Sequence, residues 1–164
     1  MTTPYEEVVS LKIGEPAPPF SLLAHPAGTV SLEDFHGKQN VILAFYPKDN
    51  TPGCTTEMCK FSDRSEQFGA QNTVILGIST DNPASHAKFA EEFGLKNTLL
   101  ADTTRETGIA YGAIRGDRVI SERMLFVIDK AGKIRHIHSG MPDIDDLIEL
   151  CKALEELQAE EAGN

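Results

Sequence analysis

Residues 41–59 read VILAFYPKDNTPGCTTEMC. The first six form an unbroken apolar run between polar HGKQN and Pro47, the pattern of a strand buried on both faces. Thr51-Pro52-Gly53 reads as a tight turn. Cys54 then opens a helix that continues through TEMCKFSDRSEQFG, residues 56–69. A strand that passes through a turn into a helix sets the turn at the carboxyl edge of a sheet, where open α/β folds assemble their sites.

The flanking sequence supplies the rest of such a sheet. NTVILGIST (72–80) is a second buried strand. Asn82 is placed to cap a helix and Pro83 to occupy its first position. That helix, ASHAKFAEEF, stops at Gly94, a residue suited to the left-handed C-terminal position. TLLAD is a short strand, and RMLFVID, a three-residue loop and KIRHIHSG read as an antiparallel hairpin. A helix from Pro142 closes the chain, with Ile144, Leu147, Ile148, Cys151 and Leu154 recurring at helical spacing. Toward the other end, GEPAPPF (14–20) is too proline-rich for helix, and FSLLA with GTVSL forms a short hairpin. Strands alternating with helices, then a late hairpin, predict an α/β chain with a central mixed sheet flanked by helices. Residues 1–13 read as a loosely attached arm, residues 14–160 as one domain, and the terminal AEEAGN as frayed.

Composition narrows the function. The 164 residues carry a net charge of −10 and no Lys/Arg cluster, which excludes the electrostatic footprint of a nucleic-acid binder and repels anionic lipid. The apolar runs are too short to span a bilayer. The first residues show no basic segment followed by an apolar one, so the expected location is cytoplasmic. Three cysteines are too few for a disulfide scaffold. Cys151 falls on the apolar stripe of the last helix and reads as core. His136 and His138 share one strand face, but no third ligand is apparent, so a solvated sheet face is expected rather than a metal site. His25, His36 and His86 give no usable signal.

Cys54 and Cys59 stand five positions apart, which is neither the spacing of a Cys-x-x-Cys redox pair nor that of a zinc knuckle. The unpaired N–H groups at a helix start favour an anion, and a thiolate is one. On one helix, five steps turn roughly 140° and rise about 7.5 Å, so the two Cα atoms lie roughly 8.7 Å apart. A disulfide needs less than about 7 Å and converging side chains. The two sulfurs therefore cannot bond while that helix is intact. Met58 and Phe61 fall near the Cys54 face, and Cys59 points elsewhere. Gly53, Thr55 and Thr56 are poor helix formers, which lowers the cost of unwinding.

Pro47-x-x-x-Thr51-x-x-Cys54 resembles the active-site motif of the peroxiredoxins, and TPGCTTEMC resembles their bacterioferritin-comigratory, or Q-type, subfamily. GEPAPPFSL and RMLFVIDKAGKI are similar to that family's entry segment and later Arg-bearing strand, so the likeness covers most of the chain. It implies a thioredoxin-like fold with an N-terminal β-hairpin extension. It also implies a thiol peroxidase that reduces hydrogen peroxide and organic hydroperoxides with no cofactor and no metal. Cys54 would be the peroxidatic nucleophile, oxidised to a sulfenic acid, and Cys59 the resolving cysteine. Thioredoxin or a glutaredoxin-like protein would reduce the resulting disulfide. With both cysteines in one chain, a monomer suffices. Thr51 would bond the thiolate or the peroxide, and Pro47 would shield the sulfur. The residues alone leave Arg105, Arg115, Arg118 and Arg123 as comparable donors, and the resemblance selects Arg123. Glu57 would orient that arginine or cap the first turn. Leu125 departs from the threonine that many relatives carry. Two other readings stay open: a thioredoxin-like disulfide exchange protein, and a redox sensor or chaperone on the same fold.

Ionisation of a thiol is not enough to explain such a catalyst. A thiol of pKa about 8.5 is only about 3% ionised at pH 7. Lowering it to about 6 raises that about 30-fold, but the accompanying fall in nucleophilicity costs about 13-fold. Alignment of the peroxide and stabilisation of the departing oxygen must supply the remainder.

Overall fold

A computed structural model describes residues 11–163. Seven strands form one sheet: β1 (Ser21–His25), β2 (Thr29–Ser31), β3 (Asn40–Phe45), β4 (Thr73–Ser79), β5 (Thr98–Ala101), β6 (Met124–Ile128) and β7 (Ile134–Ser139). Their spatial order is β2-β1-β5-β4-β3-β6-β7. β3, β4 and β5 run parallel through two crossover connections, and β1–β5, β3–β6 and β6–β7 are antiparallel pairs. The sheet is mixed, as the late hairpin requires. The early β1–β2 hairpin extends the same sheet at its far edge.

β3 shows why VILAFY carries no polar residue. Ile42, Ala44 and Tyr46 face one core with Met58, Phe61, Phe68, Phe89, Leu147 and Cys151. Val41, Leu43 and Phe45 face a second core with Phe20, Tyr111 and Phe126. The first face is covered by α1 (Pro52–Asp63), α2 (Ser65–Gly69), α3 (Pro83–Phe93) and α5 (Ile144–Gly163). The second is covered by the segment through Ala17 and Phe20 and by the region of α4 (Glu106–Ala110).

The expected caps are present. Asn82 accepts from the Ser85 N–H at 2.8 Å, and Gly94 adopts φ 62°. Cys151 is buried, and that burial pushes its thiol up to about 11.

Three expectations need correction. Cys54 does not open its helix: Thr51 is the cap and Pro52 takes the first position, where its fixed φ and missing N–H cost nothing. The helix expected through residue 69 is broken at Arg64, which has φ −108° and ψ 12°. AEEAGN is not frayed through Gly163, because Ala and Glu sustain helix and α5 continues to that residue. A 3-10 turn (Leu32–Phe35) and α4 also appear, in segments to which the sequence reading assigned no element. They are too short to carry a periodic signal.

The arm falls largely outside the described residues, although Leu11 packs against the second core. No helix among the described residues is long and apolar enough to cross a membrane.

Candidate active site

The pairing of β3 with β6 assembles the site. Phe45 and Met124 are register partners, so the residues just after Phe45 lie beside those just before Met124. Tyr46 leads into the Pro47–Thr51 loop on one side, and Ser121 and Arg123 approach on the other. The Ser121 hydroxyl donates to the Tyr46 carbonyl at 2.9 Å, which ties the two segments together.

Cys54 is buried in the first turn of α1. Arg123 Nη2 lies 3.4 Å from its sulfur, and Nη1 donates to Glu57 Oε1 at 2.6 Å. One guanidinium therefore spans the cysteine and the carboxylate one turn further along the same helix. Glycine at position 53 permits this approach: a Cβ there would meet Arg123 Nη2 at 3.0 Å. A second glycine seats the helix on the sheet, because a Cβ at Gly77 would meet Met58 Sδ at 2.9 Å.

The charges around this cluster oppose one another. Burial raises Glu57 to about 7 even though the Arg123 bond and charge and the His138 charge oppose it. Burial works against charge on Arg123 as well, but its bonds to Cys54 and Glu57 outweigh that and push it above its ordinary value. The arginine keeps its charge, and Glu57 is the member that burial leaves poorly solvated. Its second oxygen, Oε2, is buried without a hydrogen-bond partner.

Thr51 caps α1 three residues before Cys54, and its hydroxyl donates to the Lys48 carbonyl at 2.8 Å. That leaves its lone pairs to accept from a bound O–H. Pro47 is half-buried beside it. Of the two expectations for Glu57, the structure shows contact with Arg123 and no capping bond. Arg118 instead pairs with Glu122, and Arg105 donates to the Arg118 carbonyl.

Cys59 lies on the same continuous helix as Cys54, partly exposed, and both thiols are free. Burial, then the charge of Asp63, raises the Cys59 thiol. His136 and His138 stack with ring centroids 6.4 Å apart. Among the described residues no group of three metal-ligating side chains comes together. A groove of about 560 Å³ runs between the end of α1 and the start of α5, lined by Lys60, Asp63, Arg64 and Met141. It does not include the Cys54 cluster.

Sequence reasoning missed Asp49, His86 and Ser121, which stand behind this cluster. His86 shares a helix face with Phe89 and Ala90, three and four residues on, and all three are buried. That spacing was the available sign that His86 points inward.

A cysteine in the first turn of a helix at the edge of a thioredoxin-like sheet, with an arginine on its sulfur, defines a thiol-based redox enzyme. Residues 13–137 match the AhpC/TSA family, and the chain belongs to that family, among its Bcp and Q-type peroxiredoxins. It is 39% identical over 132 residues to peroxiredoxin Bcp of Bacillus subtilis, spanning 77% of this chain and 83% of that protein. It is 38% identical over 134 residues to peroxiredoxin Bcp of Escherichia coli K12, spanning 77% and 85%. The solved structure of peroxidoxin BcpB from Mycobacterium tuberculosis is 30% identical, with a TM-score of 0.79 over 90% of this chain and 98% of that one. A cysteine-to-serine mutant of Xylella fastidiosa PrxQ gives a TM-score of 0.81 at 27% identity, over 88% and 97%. The activity that follows is that of a thiol peroxidase.

Proposed function

We propose that this peroxidase works through Cys54 and Cys59 in one chain. The Cys54 thiolate attacks one oxygen of a peroxide. An S–O bond forms, the O–O bond breaks, and the second oxygen leaves as water or an alcohol after taking a proton. Cys54 is then a sulfenic acid. Arg123 supports the step by presenting fixed positive donors to the sulfur and to the charge that develops on the departing oxygen. Thr51 accepts a hydrogen bond from the peroxide, Pro47 limits water at the sulfur, and Glu57 holds the arginine.

The first turns of α1 then unwind. The Cys59 thiolate attacks the Cys54 sulfur, water leaves, and a Cys54–Cys59 disulfide forms. A dithiol protein of the thioredoxin or glutaredoxin type restores both thiols by exchange. Because both cysteines lie in one chain, the cycle runs in a monomer, and a reducing cytoplasm supplies the reductant. The observation that carries this reading is the 3.4 Å contact of Arg123 Nη2 with Cys54 Sγ, while Cys59 sits on the same intact helix, pointing elsewhere.

Intact mass after one equivalent of hydrogen peroxide tests the scheme. The wild-type chain should lose two hydrogens, and Cys59→Ser should gain one oxygen located on Cys54. Oxygen gained at another residue, or an unchanged mass in both proteins, overturns it.

A further inference from the structure

Behind the Cys54 cluster lies a buried polar network that the scheme above does not use. Asp49 belongs to the loop between Pro47 and Thr51. Its Oδ1 accepts the Tyr46 hydroxyl at 2.5 Å, and its Oδ2 accepts the Ser85 hydroxyl at 2.8 Å. The same Oδ2 stands 2.7 Å from His86 Nδ1. On the other side of that ring, Nε2 faces the Leu100 carbonyl at 2.8 Å. A backbone carbonyl only accepts, so Nε2 bears a hydrogen, and a proton must also lie on the line between Nδ1 and the carboxylate. Both side chains are buried, His86 completely. The Asp49 N–H donates to Asp81 Oδ2 at 2.8 Å. Burial, then the Asp49 charge, raises the Tyr46 hydroxyl well above its usual range, so it remains a donor.

This network grips the loop at a sharp bend. Asn50 has φ 61°, a left-handed conformation that asparagine accepts more readily than most residues with a side chain. Contacts on both sides hold the bend. The contacts here are the Asp49 bonds and a bond from Asn50 Nδ2 to Glu92 Oε2 at 2.9 Å. Tyr46 carries the grip across to the Arg123 side, because its carbonyl receives Ser121.

We propose that His86 is a positioning residue for peroxide reduction: through its Nδ1 bond to Asp49 it holds the Pro47–Thr51 loop at the distance from Cys54 that aligns the peroxide. This rests on the reading of Cys54 as the peroxidatic nucleophile. The network lies outside α1, so it keeps half of the pocket in place while the helix unwinds and reforms.

Two isosteres separate the bonds of His86. Asparagine places an amide N–H near the position of Nδ1 and keeps the Asp49 bond. Glutamine places one near Nε2 and keeps only the Leu100 bond. Two rates are read at Cys54 by mass: oxidation by hydrogen peroxide in a single turnover, and alkylation by iodoacetamide, which needs a nucleophilic sulfur but no aligned peroxide. His86→Gln should oxidise roughly 10- to 100-fold more slowly, with alkylation within about two-fold of wild type. His86→Asn should recover most of the oxidation rate. Wild-type oxidation in the glutamine variant, or equal loss of both rates, overturns the proposal.

If neither variant folds, nitrogen NMR of the unmodified protein decides. A hydrogen-bonded Nδ1, with the shared proton on either partner, supports the role, and an Nδ1 with no hydrogen-bond signature removes it. A wild-type Cys54 that does not oxidise would sink the nucleophile assignment itself. A wild type that oxidises beside an unaffected glutamine variant sinks this proposal alone.

Discussion

Arg123 reaches Cys54 because residue 53 has no side chain, and it stays there because Glu57 holds its other nitrogen. Replacing Arg123 with Ala removes the donor nearest the developing charge, so the chain should keep its fold and lose about 10²- to 10³-fold in peroxide turnover. Near-normal single-turnover oxidation of Cys54 in that variant rejects the role. Glu57 gives a pH dependence of known sign. Burial raises it from 4.5 to about 7, so in that window the folded chain keeps a proton that the unfolded chain has lost. Its contribution to stability is present in acid and is lost as pH rises through the window. In reduced protein, Glu57→Gln should therefore gain thermal stability relative to wild type between about pH 5 and pH 8, by up to about 3 kcal/mol at 1.36 kcal/mol per pKa unit. A flat difference would contradict it. At this scale the sequence was legible where a motif carried it: the resemblance picked Arg123 out of four arginines, and its guanidinium lies 3.4 Å from the Cys54 sulfur. Asp49 and His86 were hidden because their bond spans 37 positions in the chain, and no local pattern reports a partner so far away.

Helix α1 must be stable enough to hold Cys54 and weak enough to release it. Its first turn contains Pro52, Gly53 and Thr55, and its inward face carries Cys54, Met58 and Phe61. Gly53→Ala tests both demands. Alanine favours the helix by about 1 kcal/mol, yet its Cβ falls 3.0 Å from the arginine. The variant should oxidise Cys54 more slowly and also form the disulfide more slowly, both by stopped-flow kinetics. Faster disulfide formation would count against unwinding as the route. Element types were readable from apolar runs, alternation and caps, as β3, β4 and α3 show. Boundaries were not: the break at Arg64 follows no proline or glycine, and α4 is a single short turn held by Asp102, which accepts from the Thr107 and Gly108 N–H groups.

Across the whole molecule, Cys54 and Cys151 are buried in the same core, but of these two only Cys54 has Arg123 on its sulfur. Cys151 lies in the core with no access to solvent. Cys151→Ala should cost about 1 kcal/mol of stability through a small cavity and leave peroxide turnover within about two-fold of wild type. A large loss of turnover would give the third thiol a part in the cycle. The mixed sheet was foreseeable from element order. The joining of the early hairpin to β5 was not, because a pairing between residues 24 and 100 leaves no trace in local sequence. The sheet stays fixed in this account, and only the segment from Cys54 to about Cys59 changes shape. Hydrogen exchange at the amides of residues 54–60, compared between the reduced protein and the peroxide-oxidised disulfide, measures that change directly. Protection in the reduced state that is lost on oxidation is the predicted result. Equal protection in both states would contradict it.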